Sequence, residues 1–173
     1  IGGKMLYEGL QKKEGEEESG DSYLLKEFGK GMYLAALSDG MGSGAVAAKD
    51  SGKMMDLLDK FMETGFHMEK AITLLNSLMY LRGERERTLT LDSCEIDLYQ
   101  GTCRFLKYGA AVSFLKRGEK VWKIEANSLP LGIFSKEDPE EAACGLADGA
   151  YIVMVADGVT DACENRFGAM PLE

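Results

Sequence analysis

The sequence predicts an α+β domain in which helices pack on antiparallel sheet. Several short segments alternate apolar and polar residues, two longer segments between residues 45 and 81 repeat apolar residues at helical spacing, and glycine-containing turns join neighbouring strands. The predicted order is a hairpin, two helices, a group of strands and a last strand. Short turns between consecutive strands favour antiparallel pairing, because parallel strands need long crossover connections.

The first predicted elements are the hairpin and the two helices. Strands are expected at Ser22 to Phe28 and Met32 to Leu37, joined by a tight turn. Helices are expected from Ala45 to about Glu63 and from about Met68 to Leu81. The apolar face predicted for the first helix comprises Met54, Leu57, Leu58, Phe61 and Met62.

The second half of the chain is predicted to be an antiparallel meander followed by a final strand. An acidic loop is expected at Lys136 to Glu141, between the meander and that strand. The expected strands are residues 88–99, 102–108, 111–116, 120–126 and 151–156.

Composition limits the classes of partner. The chain has 173 residues, which suits one domain, and its net charge of −9 argues against non-specific nucleic-acid binding. No apolar run reaches the roughly 18 to 20 residues that span a bilayer, so we expect no membrane contact from this chain. The cysteines fit no zinc spacing, and without a signal-peptide pattern a reducing, cytosolic location is expected. They are Cys94, Cys103, Cys144 and Cys163.

Aspartates beside glycines mark the candidate functional site. Asp39-Gly40 and Asp157-Gly158 each follow an apolar strand, and the hairpin would bring Asp21 close to Asp39. Carboxylate oxygens are ligands that Mg²⁺ and Mn²⁺ prefer, and the chain contains a single histidine. Two such ions about 4 Å apart can activate water for attack on phosphorus. The pattern therefore predicts a hard-metal site.

Two other interpretations compete with a two-metal hydrolase. Asp-Gly is a common turn pair, so on the residues alone a structural role and a metal-binding role are about equally supported. A nucleotidyl cyclase also places two metals on carboxylates at strand ends. It would need a nucleotide-binding loop and a basic residue for phosphate, and neither lies beside Asp39 or Asp157 in the sequence.

Longer motifs resemble a known family. The segments SGDSY at 19–23, LSDGMGSG at 37–44 and LADGAYIVMVADGVTDA at 146–162 resemble the PPM/PP2C-type metal-dependent serine/threonine phosphatases. Within that family they are most similar to the bacterial sporulation branch, the phosphatase domain of the stage II sporulation protein E type. Residues 90–121 and 128–133 are similar as well, so the resemblance covers about residues 19 to 168.

The resemblance implies a four-layer αββα sandwich, with antiparallel sheets flanked by helices. Residues 1–18 would be an N-terminal lead-in with a regulatory role, and 19–173 the phosphatase domain. The family carries one more metal-binding aspartate in a D-D-x-T-type strand near its C-terminus, and no such motif follows Asp161. We therefore expect the C-terminal helix and strand, and one ligand of the first ion, to be missing from this chain.

By matching motif, the resemblance also implies a site with two Mn²⁺ or Mg²⁺ ions. Asp39 would bridge both ions, and the Gly40 carbonyl would bind one of them. Asp157 would bind the first ion and Asp21 the second. Asp161 and Gly158 are candidates for contacting the metal ligands and holding them in position, without binding the ions themselves. Tyr108 is a candidate regulatory contact for the helices at 45–81, which act as a switch in this branch.

The implied function is hydrolysis of phosphoserine on a phosphorylated anti-anti-sigma factor, which would release a sporulation sigma factor. The implied location is a cytoplasmic domain of a parent protein anchored in the membrane at the division septum. A second copy of the chain is a candidate partner. The alternative is a catalytically incomplete family member that acts as a signalling or dimerisation module.

Overall fold

The computed structural model describes residues 19–41, 44–82, 88–135 and 139–160, and these form two sheets and two helices. The predictions for residues 1–18 and for residues beyond 160 lie outside these ranges. The strands and helices are β1 Asp21–Gly29, β2 Met32–Asp39, α1 Gly44–Glu63, α2 Met68–Leu81, β3 Leu91–Asp97, β4 Thr102–Tyr108, β5 Ser113–Arg117, β6 Lys120–Ile124, β7 Glu140–Gly145 and β8 Ala150–Val153.

The first sheet has five antiparallel strands in the order β1-β2-β3-β4-β7, and α1 and α2 cover one of its faces. The predicted hairpin is confirmed, with Asp21 paired to Asp39 across β1 and β2. The core between helices and sheet contains Leu34, Leu58, Leu75 and Leu106. Burying each such side chain contributes about 1.5 to 3 kcal/mol, so this layer holds the helices in place.

The second sheet has three strands in the order β6-β5-β8 and packs on the other face of the first. A smaller core lies between the sheets and includes Cys94, Phe105 and Leu115. The described ranges therefore supply three layers of the predicted sandwich: helix, sheet, sheet. Residues 157–160 are helical, and no further member of a second helical layer falls within those ranges.

Several predictions about the second half of the chain are corrected. The meander is wrong as one unit, because β3 and β4 belong to the first sheet while β5 and β6 belong to the second. The segment at 88–99 is a strand only over Leu91–Asp97, and the last strand ends at Val153. Leu57, predicted to be on the buried face of α1, is 36% exposed.

The strand β7 was missed because its sequence has low strand propensity. EEAACG contains two glutamates and two alanines, which are depleted in strands. Pairing with β4 supplies what local preference lacks: Cys103 lies opposite Cys144, and Arg104 Nη1 is 3.6 Å from Glu141 Oε1. Tertiary context decides this element, so the predicted acidic loop is wrong from Glu140 onward.

The segment at 128–133 is tied to α2 by one asparagine. Asn76 Nδ2 donates to the Phe134 carbonyl at 3.0 Å, and the Gly132 N–H donates to Asn76 Oδ1 at 2.8 Å. Leu131 is fully buried and bridges to Leu89. In the described part of the chain, no helix combines the length and apolar character that crossing a membrane would require.

A buried ion pair lies where β3 and β4 face the second sheet. Lys107 Nζ is 2.6 Å from Asp92 Oδ2, and the two side chains are 1% and 2% exposed. Ser113 on β5 donates to Asp92 and accepts from Lys107 Nζ at 2.9 Å, so the pair also links the two sheets. Burial raises the pKa of the Asp92 carboxyl and lowers that of Lys107, and their attraction opposes both changes.

We predict that Lys107→Met lowers the free energy of unfolding by about 3 to 5 kcal/mol, because it leaves the Asp92 charge buried without its partner. The double variant Asp92→Leu/Lys107→Met is expected to lose less than the sum of the two single changes. Urea denaturation followed by circular dichroism measures all three.

The matched control is Lys123→Met, since Lys123 pairs with Glu125 at 3.9 Å on the exposed surface. Lys123→Met should lower the free energy of unfolding by less than about 1 kcal/mol. Equal losses for Lys107→Met and Lys123→Met would contradict the view that burial makes the Asp92–Lys107 pair important.

Candidate active site

Three aspartates meet at one end of the first sheet. Asp21 and Asp39 occupy directly opposite positions in β1 and β2, so their side chains leave the same face about 5 Å apart at Cβ. Asp157 begins the helical residues that follow β8, and it lines the same small cavity as Asp39, close enough for its charge to act on Asp39. Asp39 therefore lies between two other carboxylates, as the hairpin prediction anticipated for Asp21.

Thr90 fixes the backbone of Asp39 from the neighbouring strand. The Asp39 N–H donates to Thr90 Oγ1 at 3.1 Å, and the Thr90 N–H donates to the Asp39 carbonyl at 3.0 Å. Ser38 Oγ donates to the Thr90 carbonyl at 2.7 Å. These bonds hold the end of β2 in place, so the carboxylate projects from a rigid support.

Glycines allow close approach between the strand ends and α1. A Cβ on Gly40 would lie 2.6 Å from the Ala47 carbonyl oxygen, which no side chain tolerates. A Cβ on Gly20 would lie 3.3 Å from Asp39 Oδ1 and 3.5 Å from the Gly40 carbonyl oxygen. Because glycine has no Cβ, a small space remains at Gly20, and Asp39 Oδ1 and the Gly40 carbonyl oxygen both lie beside it.

Ser51 connects α1 to the start of β1. Its Oγ donates to the Gly20 carbonyl at 2.6 Å and lies 2.8 Å from Ser22 Oγ. Since the Ser51 proton is directed to Gly20, Ser22 donates to Ser51. Ser51 is fully buried, and its bonds flank Asp21 on both sides, so the position of Asp21 depends on the position of the helix.

The electrostatics of the cluster favour a bound cation. Burial, followed by the negative charges of Asp21 and Asp157, raises the pKa of Asp39 to about 7. A cavity of about 40 Å³ next to it is lined by Asp39, Asp157 and Asp92, and Asp92 Oδ1 is buried with no hydrogen-bond donor among the described residues. Among the described residues, Lys107 pairs with Asp92 and not with Asp39 or Asp157. Converging carboxylates and an orphaned acceptor fit Mg²⁺ or Mn²⁺, which bind oxygen.

The carboxylates do not form a ready-made ligand set. Over residues 19–41, 44–82, 88–135 and 139–160, no group of three or more His, Cys, Asp or Glu side chains is arranged to hold a metal ion. A larger cavity of about 340 Å³ lies elsewhere, between the sheets beside Cys144. The chemistry-bearing oxygens line the smaller cavity, so the smaller cavity is the candidate site.

The remaining predicted residues have varied surroundings. Gly158 is exposed, and a Cβ there would meet nothing within 4 Å. Tyr108 is 1% exposed and lies in the core that α1 and α2 share with the first sheet. Asp161 falls outside the described residues. Supporting roles for Gly158 and Asp161 and a regulatory role for Tyr108 remain predictions.

Sequence reasoning missed four residues that shape the site: Thr90, Ser51, Asp92 and Lys107. Ser51 stands three residues before Met54 and four before Met55, on the apolar face of α1, which is a readable signal. Lys107 shares the strand parity of Cys103 and Phe105, whose side chains are buried. A charge at an inward position predicts a buried partner, although the sequence does not say which one.

Two curated proteins from one organism are similar to this chain. The curated protein named stage II sporulation protein E from Bacillus subtilis (strain 168) is 43% identical over 141 residues, which cover 82% of this chain and 17% of that protein. The phosphoserine phosphatase RsbU from the same organism is 25% identical over 159 residues, or 90% of this chain and 47% of RsbU. The chain therefore spans less than half the length of either relative.

A solved structure confirms the predicted fold class. The PP2C phosphatase domain of SpoIIE from Bacillus subtilis, with a fragment of its regulatory domain, superposes with a TM-score of 0.77 at 38% identity. The match covers 88% of this chain and 48% of that one. The family model described as stage II sporulation protein E (SpoIIE) matches residues 29–173. This chain belongs to the stage II sporulation protein E family.

Proposed function

We propose that this chain is a metal-dependent protein serine phosphatase domain that removes phosphate from phosphoserine. The observation that carries the proposal is the half-buried Asp39, whose pKa rises to about 7 between Asp21 and Asp157. Uncompensated negative charge on rigid strand ends costs stability, and a bound cation relieves that cost. Family membership supports the same activity.

The ligands proposed for two Mn²⁺ or Mg²⁺ ions are Asp21, Asp39, Asp157 and the Gly40 carbonyl, with Asp39 shared between the ions. When bound, such ions supply activation of water and neutralise charge on a phosphoryl group. The chain contributes the position of the oxygens: Thr90 fixes the Asp39 backbone, and Ser51 fixes the Gly20 carbonyl beside Asp21. Gly158 and Asp161 are proposed to support these ligands.

The side chains near Asp39 favour direct attack of water over transfer through a cysteine or histidine. The described cysteines lie in or beside the core between the two sheets, and His67 is exposed at the start of α2. The small cavity is lined by aspartates, Thr90 and apolar residues.

The proposed substrate is the phosphorylated anti-anti-sigma factor of a sporulation sigma-factor pathway. The relative RsbU is a named phosphoserine phosphatase, and the family name refers to sporulation. A regulatory protein partner, a second copy of the chain and a septal membrane-anchored parent with this domain in the cytoplasm belong to the same proposal.

The helices α1 and α2 are proposed to act as a switch for the site. Gly40 and Ala47 are in backbone contact, and Ser51 bonds the strand that carries Asp21, so a shift of α1 would move two ligands. Tyr108, buried in the core beneath both helices, would transmit their position. This arrangement couples metal affinity to helix placement.

A second candidate function is a signalling or dimerisation module without catalysis. The observation that favours it is a row of exposed apolar side chains on α2, where Leu74, Leu78 and Leu81 are 42%, 47% and 78% exposed. Such a row suits contact with a partner. Turnover measurements separate the two functions, since the module would bind a partner and release no phosphate.

We predict that Asp39→Asn lowers Mn²⁺-dependent phosphate release from a phosphoserine protein by at least about 100-fold, because a neutral amide is a poor ligand for a shared ion position. The measurement is free phosphate with and without millimolar Mn²⁺. The control is Asp148→Asn, an exposed aspartate that also precedes a glycine, which should keep full activity. Comparable turnover by both variants would refute the assignment of Asp39.

We predict that Asp39→Asn stabilises the metal-free protein at pH 7.5. The pKa of Asp39 is raised from 3.8 to about 7 in the fold, so its contribution to stability is present at low pH and is lost as pH rises through 7. In EDTA, wild type should therefore lose about 1 kcal/mol more than the variant between pH 5.5 and 7.5, after allowance for solvent screening.

Urea unfolding at the two pH values tests this difference. The matched control is Asp56→Asn, an exposed aspartate on α1, which should follow wild type at both pH values. A pH response of Asp39→Asn identical to that of wild type would show that the carboxylate cluster carries no strain without metal.

We predict that Ser51→Ala weakens apparent Mn²⁺ affinity about fivefold, because one hydrogen bond between α1 and the Gly20 carbonyl contributes about 1 kcal/mol to the position of Asp21. Calorimetric titration measures the affinity. The control is Ser77→Ala on α2, whose Oγ donates to the Thr73 carbonyl of its own helix. Unchanged affinity in Ser51→Ala would show that the hydrogen bond from Ser51 to the Gly20 carbonyl does not couple α1 to metal binding.

A further inference from the structure

Three cysteines that are far apart in sequence converge between the two sheets. Cys94, Cys103 and Cys144 come from β3, β4 and β7, and the Cys103 and Cys144 sulfurs are 2.9 Å apart. Cys94 and Cys103 are both buried in the core between the sheets, and Cys144 packs against that core. The proposed phosphatase chemistry uses none of these thiols. Their spacing in the sequence fits no zinc site, so it does not predict that they cluster.

The strand register suits a covalent bond between one pair only. Cys103 and Cys144 are directly opposite on antiparallel strands, where Cα atoms lie about 4.5 to 5.5 Å apart, inside the range that disulfides require. Cys94 lies opposite Phe105, so it is the diagonal neighbour of Cys103. Diagonal neighbours are about 7 to 8 Å apart, which exceeds that range.

The same pair combines a reactive thiolate with access from outside. Hydrogen bonds from Cys94 and Cys144 lower the pKa of Cys103 to about 7, and burial raises that of Cys144 to about 12, so the pair shares one proton above neutral pH. Cys103 is 2% exposed, whereas Cys144 is half-buried and lines the cavity of about 340 Å³. Arg117 and Lys123 line the same cavity.

We propose that Cys103 and Cys144 are a redox modification site, at which a small hydroperoxide converts the facing thiols into a reversible cross-strand disulfide. A thiolate of the pair attacks the peroxide O–O bond, so a sulfenic acid forms and hydroxide or alkoxide leaves. The second sulfur then displaces water from the sulfenic sulfur. Two thiols and one hydrogen peroxide thereby give one disulfide and two waters, with two electrons passing from sulfur to oxygen.

The bond would fasten an edge strand. Within the described ranges β7 pairs with β4 alone, and its local sequence contributes little strand preference. A link between positions 103 and 144 closes a loop of about 40 residues, which restricts the unfolded chain. Oxidation should therefore raise the midpoint of thermal unfolding, and a thiol reductant should reverse the change.

The test is disulfide mapping on the whole chain. The reduced chain is exposed to a small excess of hydrogen peroxide at pH 7.5, blocked with iodoacetamide and cut with an aspartate-specific protease. Cleavage before the aspartates places Cys94, Cys103, Cys144 and Cys163 on separate peptides, residues 92–96, 97–137, 138–147 and 161–173. The expected product joins 97–137 to 138–147, with the loss of two hydrogens, and dithiothreitol removes it.

Variants and a thermal readout complete the test. Cys94→Ser should still form the bond, Cys144→Ser should not, and oxidised wild type should unfold roughly 5 to 15 °C above the reduced chain. A disulfide that joins another pair, or recovery of Cys103 and Cys144 as alkylated thiols when Cys163 is oxidised, overturns the proposal. The disulfide map of the wild-type chain decides the question by itself, so the test still works if a variant folds poorly.

Discussion

The antiparallel register of β1 and β2 is the constraint on which the candidate site depends. It sets Asp21 directly opposite Asp39, although like charges in that position repel. A shift of one residue would turn every side chain of one strand to the other face and separate the two carboxylates. The register is held by the apolar residues that β2 buries beneath the helices, such as Leu34 and Ala36, so packing of the core enforces proximity of charge.

Local patterns predicted the first half of the fold well. The hairpin, α1 and α2 have strong periodicity and clear glycine boundaries, and their ends match within about two residues. The second half depends on which sheet each strand joins, and alternation along one strand does not encode that choice. β7 shows the limit most clearly, since its pairing with β4 compensates for a sequence that disfavours strand.

The candidate site was partly predictable for a related physical reason. Aspartates that directly follow apolar runs can be recognised from local sequence. The hairpin brings two of them together through pairing of strands that are neighbours in the chain. Thr90 and Ser51 act through hydrogen bonds to backbone atoms far away in sequence, 51 residues from Asp39 and 31 from Gly20. The Asp92–Lys107 pair and the cysteine group likewise exist only once β3, β4 and their partners are assembled.

The contact between Gly40 and Ala47 makes the end of β2 and the first turns of α1 one mechanical unit. A Cβ at Gly40 would come within 2.6 to 2.9 Å of three backbone atoms of Ala47, so the two segments have no slack between them. A displacement of α1, which is 20 residues long, would therefore also shift Gly40 and its carbonyl. A partner protein bound at the far end of this helix would therefore act on the carboxylate site from a distance of about 30 Å.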